Sequence, residues 1–376
     1  MLIVGPTKDH EADLRSVAET HLITLREPVT DSGLPTGPDP DAEPPAGVLA
    51  LTAEALAAAA DLAEALNVPG PSKASAIASA DRSVARVLLT EAGLPTPRGT
   101  RVDSHQQAAE AAQWTGFPVI MRPLGNLGHF GAIRADGPQD LHAAWTYAHA
   151  ASLASEVEPG AVMVEQAPDG DWITLQTATT SDGTWVAAAV RTALTGHPML
   201  QPASHLVTAD DVDSELAVLA TRAIEALGVE QGVGHVHIVL TLSGPVIVDA
   251  CAHIQGDSVP ELVRLATGVD LVLAAVRTAA GLDPAITPTH RASAAAAAIR
   301  APRAGTVAGL HVAPDLLDQP WLARLTWGTR LGATVEAQPA PALARCIVTG
   351  PDPDTCLDRL AQVRQDIDVS IEPRHP

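Results

Sequence analysis

The chain has 376 residues, 46% of them hydrophobic, so it can bury more than one core and is not broadly disordered. Its 44 acidic side chains outnumber 23 lysines and arginines, and the formal charge of −21 argues against nucleic acid or an anionic membrane surface as a partner. The three cysteines do not suggest a disulfide framework.

The start of the chain favours a cytoplasmic protein. The apolar run in "MLIVG" is too short for a signal peptide, and no run reaches the roughly 18 apolar residues of a membrane span. "MLIVG" and "GVLAL" are predicted strands, separated by an exposed loop over 27–47 that is rich in Pro, Asp and Gly. A helix then runs from Thr52 to Pro69-Gly70. Together these elements predict a small α/β unit.

Helices and strands alternate along the middle of the chain. Ser79 is the predicted N-cap of a helix over 80–92. Residues 116–135 read as a strand, a glycine-containing loop and a second strand, and residues 136–153 as an amphipathic helix. A buried strand ends at Pro168.

The second half adds more strands, two helical segments and a last helix, without an internal repeat. The predicted strands are 172–180, 184–192, 234–242 and 245–252, and the predicted helices are 212–228, 258–281 and 355–366. His197 and His205 lie in a predicted loop, and Cys346 and Cys356 are interpreted as structural.

The predicted hairpin "HVHIVLTLSGPVIVDACAH" carries several side chains of the types that ligate metal ions. A three-residue loop centred on Ser243 would set the pairing of its two strands, and side chains two apart share a face. Opposite pairs are then His237 with Asp249 and His235 with Cys251. His253 continues the same face.

The order of these pieces resembles the ATP-grasp superfamily, in particular the carboxylate–amine ligase branch with L-amino acid ligases and biotin-carboxylase-like enzymes. The resemblance covers residues 68–284, with "GFPVIMRPLGNLGHFGAI" and "VMVEQAPDGDWITL" among its landmarks. "AIRAPRAGTVAGL" resembles the branch's final small domain. The implied class is α/β, an ATP-grasp fold of two α+β subdomains gripping a cleft, with a reduced N-terminal α/β domain and a small C-terminal β-rich domain.

The resemblance also implies domain boundaries. Residues 1–75 would form the N-terminal domain, and residues 76–290 the ATP-grasp core, with a lid at about 98–165. Residues 291–376 would form the small C-terminal α+β domain.

An ATP site is implied, with arginine where the family usually has lysine. Arginine at positions 82 and 122 keeps the positive charge and adds forked donors. In this the chain resembles carbamoyl phosphate synthetases, which have arginine at both positions. Taken by itself, the loop "GNLGHFG" is more typical of a hairpin turn beside two surface arginines, but in the family order it would cover the phosphates. The predicted phosphate contacts are Arg82, Arg122, Gly125, Gly128 and Gly131.

The adenine and ribose side is implied by the strand "VMVEQAP". Glu165 and Gln166 take the places of the residues that read the adenine. Trp172 stands where the family has a ribose-binding glutamate, so Asp171 is the neighbouring candidate. A shift of one residue along a strand reverses the face, which makes this substitution demanding.

The metal site departs from the family. His237, Asp249 and Cys251 stand where the family has Glu, Glu and Asn, and His253 replaces an arginine. Mg²⁺ prefers oxygen ligands, whereas imidazole and thiolate favour Zn²⁺, Fe²⁺ or Co²⁺. The face is therefore either a divalent-metal site retuned to zinc or iron, or a relic that binds no metal.

Three functions stay open. The chain could be a divergent ATP-dependent ligase that joins small-molecule carboxylates and amines in specialised metabolism. It could be a pseudo-ATP-grasp protein that acts as a binding or scaffold subunit. It could also be an ATP-independent enzyme that reuses the cleft through His237, Asp249, Cys251 and His253. The candidate catalytic residues are His237, Asp249 and His253. The resemblance allows a homodimer in each case.

Overall fold

A computed structural model of the chain describes residues 2–4, 26–29, 45–126, 128–195, 198–256, 258–336 and 340–373. The strands in these residues are β1 Leu2–Val4, β2 Arg26–Val29, β3 Val48–Ala50, β4 Gly99–Val102, β5 Val119–Pro123, β6 Ile133–Ala135, β7 Val162–Gln166, β8 Asp171–Thr180, β9 Gly183–Leu194, β10 Pro202–Thr208, β11 Gly232–Thr241, β12 Gly244–Cys251, β13 Ser293–Arg300, β14 Gly305–Val312, β15 Leu322–Trp327, β16 Thr334–Val335, β17 Ala342–Gly350 and β18 Ile367–Glu372.

Helices lie between these strands in the chain and pack on the sheets. They are α1 Leu56–Leu66, α2 Lys73–Ala80, α3 Arg82–Glu91, α4 His105–Thr115, α5 Leu141–Ser152, α6 Ser214–Ala226, α7 Val259–Thr267, α8 Leu271–Ala279, α9 Pro314–Leu317 and α10 Pro353–Asp366. Within the described ranges no helix is both long and apolar enough to cross a membrane.

The N-terminal unit is a parallel sheet in the order β2–β1–β3. Helix α1 packs its buried Leu56 and Ala59 against Val48 of β3. Strand β2 falls within the loop predicted over 27–47, so that prediction is wrong at residues 27–29, where parallel pairing with β1 satisfies the backbone. Residues 30–44 lie outside the described residues.

The predicted lid region forms an antiparallel sheet in the order β4–β7–β5–β6. Helices α4 and α5 cover one side of it, and a core that includes Val119, Met121 and Ala144 holds the layers together. This unit spans the region predicted over about 98–165. Its mobility stays a prediction.

An eight-stranded antiparallel sheet in the order β12–β11–β8–β9–β10–β13–β17–β15 forms the other side of the cleft. Helices α7 and α8 pack on the face that includes Val190 and Val233, and α3 and α6 pack on the opposite face with Val236 and Ile238. The sheet continues across residue 290, so the predicted C-terminal domain shares strands β13, β15 and β17 with the core. The three-stranded sheet β16–β14–β18 completes that end.

Two helix boundaries differ from prediction. Asp81, not Ser79, caps α3, because the Asp81 carboxylate accepts a 2.8 Å hydrogen bond from the Ser83 backbone N–H, while Ser79 lies inside α2. The helical segment predicted over 258–281 is two helices. Gly268 ends α7 in the left-handed conformation, and Asp270 caps α8.

Candidate ligand-binding cleft

A cavity of about 760 Å³ lies between the four-stranded and the eight-stranded sheets. Most of the predicted site residues line it: Arg82, Arg122, Gly128, Glu165, Gln166, His237, Asp249, Cys251 and His253. Gly125, Gly131 and Asp171 are not among the described residues that line it. The fold therefore brings landmarks from distant parts of the sequence to one site.

The hairpin β11–β12 has the predicted pairing but a different turn. His237 pairs with Asp249 and His235 with Cys251, as predicted. The loop holds two residues rather than three, since Thr241 pairs with Gly244. A β-bulge at Val248 supplies the missing residue, because Ile238 pairs with Ile247 while His237 pairs with Asp249.

Two carboxylates in the cleft are neutralised by arginines. Asp249 Oδ2 accepts 3.2 Å hydrogen bonds from both Arg82 Nε and Arg122 Nη1. Glu165, which is 3% exposed, lies 2.5 Å from Arg122 Nε and accepts a 2.6 Å hydrogen bond from Arg86 Nη2. Three guanidinium groups against two carboxylates leave one excess positive charge. This arginine–carboxylate cluster is the electrostatic centre of the cleft.

Arg82 braces the glycine loop. Nε donates to Asp249, and the terminal nitrogens donate to the Pro123, Gly125 and Gly128 carbonyl oxygens and to Asn126 Oδ1. A guanidinium group has five N–H donors, so this side chain is fully used by the protein. Arg82 lines the cleft as predicted, but in this arrangement it has no donor left for a phosphate.

Arg86 is a member of the arginine–carboxylate cluster that sequence reasoning missed. It follows Arg82 by one helical turn, and this spacing places both side chains on one face of α3. Besides Glu165, it donates to the backbone carbonyls of Ile247 and Val248 on β12. In the sequence, the i, i+4 spacing of Arg82 and Arg86 was the signal that both side chains would lie at the same site. Arg86 thus joins the Glu165 carboxylate on β7 to the β11–β12 hairpin.

Two of the described residues in the glycine loop between β5 and β6, Gly128 and Gly131, have positive φ. Gly128 has φ +62° and open space where a side chain would point, and Gly131 has φ +80° in a crowded position. A Cβ on Gly131 would lie 2.5 Å from Ala151 Cβ and 2.7 Å from Pro123 Cγ. Gly131 therefore serves loop packing, and Gly128 faces the cavity.

Alanine at these two glycines should have unequal effects. Gly128→Ala should cost about 1–2 kcal/mol of unfolding free energy, from the left-handed backbone alone. Gly131→Ala should cost roughly 1–3 kcal/mol more, because overpacking adds to the backbone term. Urea unfolding of both variants measures the difference. Equal losses would contradict the packing role of Gly131.

The alternation of side chains along β8 tests Asp171 as the candidate for a ribose contact. Trp172 lines the cavity, while Asp171 is exposed and pairs with Leu240 at the start of β8. Adjacent strand residues point to opposite faces. Asp171 therefore points away from the face on which Trp172 lines the cavity, and its placement does not support a nucleotide contact.

A chain of histidine rings follows the cleft side of β11. The ring centroids of His253 and His235 lie 5.0 Å apart, those of His235 and His237 also 5.0 Å, and those of His237 and His129 6.3 Å. Burial lowers the pKa of His235 to about 3 and the pKa of His129 to about 4, and it holds the pKa of His237 well below its ordinary value. These three rings are neutral at neutral pH.

His205 and His197 have different outcomes. His205 lies on β10 rather than in the predicted loop, lines the cavity and has Nδ1 2.9 Å from Thr192 Oγ1. His197 lies outside the described residues. Cys346 and Cys356 are buried in the C-terminal core, away from the cavity.

The predicted metal ligands divide into two groups. Asp249 is bonded to the arginines, and His237 Nδ1 lies 2.8 Å from Thr174 Oγ1. The residues whose ligand atoms all lie within 4.8 Å of one another are His235, Cys251 and His253. The ligand atoms that lie together are therefore not those of the predicted set His237, Asp249 and Cys251. The carboxylate of Asp249 is bonded to Arg82 and Arg122 instead.

These residues do not fit Mg²⁺. Burial alone would raise the pKa of Asp249, but Arg82 and Arg122 outweigh it and hold that pKa well below its usual range. A carboxylate already shared by two guanidinium groups is a poor ligand for a further cation. The neighbouring donors are imidazole nitrogen and sulfur, which Mg²⁺ does not favour.

Comparison with known proteins identifies the fold family. The family model described as "Carbamoyl-phosphate synthase L chain, ATP binding domain" matches residues 81–285, more than half of the chain. The structure resembles the L-amino acid ligase of Bacillus licheniformis with a TM-score of 0.77 and 18% identity, covering 99% of this chain and 98% of the ligase. It resembles the phosphoribosylglycinamide synthetase of Anaerococcus prevotii with a TM-score of 0.67 and 15% identity, covering 99% of each chain.

Curated relatives match in part. A formate-dependent phosphoribosylglycinamide formyltransferase of an Azoarcus species is 32% identical over 129 residues, which are 34% of this chain and 32% of the relative. An uncharacterised protein of Sinorhizobium fredii is 24% identical over 263 residues, which are 70% of this chain and 54% of that protein. The chain thus spans about a third and about half of these relatives. With the family match across its core, the chain belongs to the ATP-grasp family of the carbamoyl-phosphate synthase L chain ATP-binding domain.

Proposed function

We propose that this ATP-grasp protein binds a small carboxylate-bearing molecule in its cleft and does not carry out Mg·ATP chemistry. The observation that supports it most is the arginine–carboxylate cluster. Asp249 and Glu165 each contact two guanidinium groups, and Arg82 uses all five of its donors on protein acceptors. Phosphoryl transfer needs metal-bound oxygens and cations directed at the phosphates, and here both sets of groups are bonded to each other.

A carboxylate ligand suits the charge and shape of the cavity. The cluster carries one excess positive charge in a chain of net charge −21. Arg122 donates one hydrogen bond from each terminal nitrogen to a described acceptor, and so has a second N–H on each for a ligand. Trp172, Phe130 and Ile254 add apolar wall. An anionic head group with a small apolar body matches this combination.

Binding tests this proposal, with Arg122 as the probe residue. Ligand-observed NMR with small carboxylates, each paired with its amide analogue, should select carboxylates. Arg122→Ala should weaken the selected ligand by about 1.5–3 kcal/mol, the range for hydrogen bonds to charged groups. Asp249 and Glu165 keep Arg82 and Arg86 as partners, so the variant should fold. Arg134→Ala, which removes an arginine paired with Asp136 outside the cavity, is the matched control.

The ligase hypothesis is the alternative. It is favoured by the meeting of Gly128, Glu165 and the β11–β12 hairpin at one cavity. An assay for ADP formation with mixed carboxylates and amines, in Mg²⁺ and in Mn²⁺, separates the two. Our proposal expects no ADP above the enzyme-free background. Turnover that depends on both a carboxylate and an amine would establish the ligase instead.

Catalytic roles for His237, Asp249 and His253, a homodimer and a cytoplasmic location stay predictions. The small-molecule class of ligand follows the structural neighbours, one of which is a biotin carboxylase domain in complex with MgADP, ADP and bicarbonate.

A further inference from the structure

Three side chains at the inner end of the hairpin form a cluster separate from the arginine–carboxylate cluster. His235 and Cys251 are opposite each other in the β11–β12 ladder. The ring of His253 lies against that of His235, with an interplanar angle of 83°. One ring nitrogen of each histidine and the Cys251 sulfur all lie within 4.8 Å of one another. Two imidazoles and a thiol thus converge at one point.

Backbone carbonyls fix the orientation of both rings. His235 Nδ1 lies 3.0 Å from the His253 carbonyl oxygen, and His253 Nδ1 lies 2.8 Å from the Ile254 carbonyl oxygen. A carbonyl oxygen only accepts, so each Nδ1 carries a proton, and a ring in its neutral form then has its lone pair on Nε2. Histidine ligands of metals in proteins almost always have their other ring nitrogen held in this way.

The sulfur is held in a matching way. Asn126 Nδ2 lies 2.9 Å from Cys251 Sγ and donates to it. An N–H directed at the sulfur is the hydrogen bond that a metal-bound thiolate accepts from its surroundings. Cys251 is 2% exposed, and all three side chains line the cavity. The cluster is therefore oriented from outside and open towards the cavity.

We propose that His235, Cys251 and His253 form a site for a borderline-soft divalent transition ion, with Zn²⁺ as the expected occupant. The ligands would be Nε2 of both histidines and the Cys251 sulfur, with the fourth position open to the cavity. Zinc takes nitrogen and sulfur ligands, and three protein ligands with one open position are a recurrent zinc arrangement. This inference goes beyond the proposed carboxylate binding and does not depend on it.

The geometry requires little movement. Zinc–nitrogen bonds of about 2.0 Å and zinc–sulfur bonds of about 2.3 Å place tetrahedral ligands roughly 3.3–3.6 Å apart. One nitrogen of each ring and the sulfur already lie within 4.8 Å of one another, so atomic shifts of about 1 Å would bring them to these separations. On binding, the Cys251 S–H bond breaks, its proton leaves to solvent, and a sulfur–zinc bond forms without any change in oxidation state.

Cobalt titration of the full chain tests the site. Co²⁺ bound by a thiolate gives a charge-transfer absorption in the near ultraviolet, and we expect it to saturate at one ion per chain and to disappear when Zn²⁺ is added. Cys251→Ala should lose this band and bind Zn²⁺ at least roughly 10–100-fold more weakly, because losing a ligand costs no less than losing an outer-shell partner, for which that range is typical. Cys346→Ala removes a cysteine that is also buried and free, and it should keep the band.

A second variant protects the test from folding artefacts. His253 is only half-buried, so His253→Gln should fold and still weaken Zn²⁺ binding at least tenfold. Near-ultraviolet circular dichroism monitors the fold of every variant. A folded wild-type chain without a cobalt–thiolate band would overturn the proposal. Equal zinc affinities for wild type, Cys251→Ala and His253→Gln would overturn it too.

Discussion

Glu165→Gln should lower the free energy of unfolding by roughly 3–5 kcal/mol, the range for breaking a buried ion pair from one side. The carboxylate is 3% exposed and contacts Arg86 and Arg122. Glutamine keeps the size of the side chain but removes its charge. The two guanidinium groups would then be buried with a single remaining carboxylate, Asp249, near them. Urea unfolding of the wild type and the variant measures this loss.

An exposed pair supplies the matched control. Glu158 lies beside Arg101 with about half of its side chain exposed, so Glu158→Gln makes the same chemical change in solvent. Exposed pairs contribute about 0–1 kcal/mol, and we expect a loss in that range. If the two variants lost similar stability, the buried cluster would not hold the two sides of the cleft together.

Acid should destabilise the protein steeply below pH 6.5. Burial lowers the pKa of His129 to about 4 and of His235 to about 3, and the pKa of His237 is lowered in the same direction. Histidine in the unfolded chain titrates near pH 6.5. Above that pH the rings are neutral in both states. Below that pH the unfolded chain binds protons that the folded chain excludes. The free energy of unfolding therefore decreases as the pH is lowered, down to about pH 4 to 3.

The expected slope follows from proton linkage. Each excluded proton contributes up to about 1.4 kcal/mol per pH unit, so three histidines give roughly 3–4 kcal/mol per unit between pH 6 and pH 4. Unfolding free energy measured by urea titration across this window tests the slope. His129→Gln should reduce it by about 1.4 kcal/mol per unit. A profile that is flat between pH 6.5 and 4 would contradict the neutral state of these three histidines in the folded chain.

Local patterns in the sequence predicted the strands and the pairing of the hairpin. Alternation of side chains placed His237 opposite Asp249, which the structure confirms. The turn was wrong by one residue, and a bulge at Val248 compensated for it. A bulge depends on how the hairpin packs against its neighbours, and no residue pattern in the hairpin indicates it.

The partners of the charged residues were not predictable from local sequence. Arg82 and Asp249 are 167 residues apart, and Arg86 and Glu165 are 79 apart. The family resemblance assigned these residues to phosphate, adenine and metal. It could not show that they would bond to one another, because that depends on the closure of two sheets around the cavity. His235, Cys251 and His253 need no such closure, because they share one face of the β11–β12 hairpin and its continuation. The closure changes the predicted ligand set by bonding Asp249 to Arg82 and Arg122.

Isothermal titration with ATP and a non-hydrolysable analogue, with and without Mg²⁺, tests the central claim most directly. Asp249 and Glu165 are already neutralised by Arg82, Arg86 and Arg122. Mg²⁺ should therefore change the affinity for either nucleotide by less than about twofold, which corresponds to less than about 0.5 kcal/mol. Nucleotide binding that is at least tenfold tighter with Mg²⁺, and that Asp249→Asn returns to the Mg²⁺-free value, would show a working magnesium site and contradict this account.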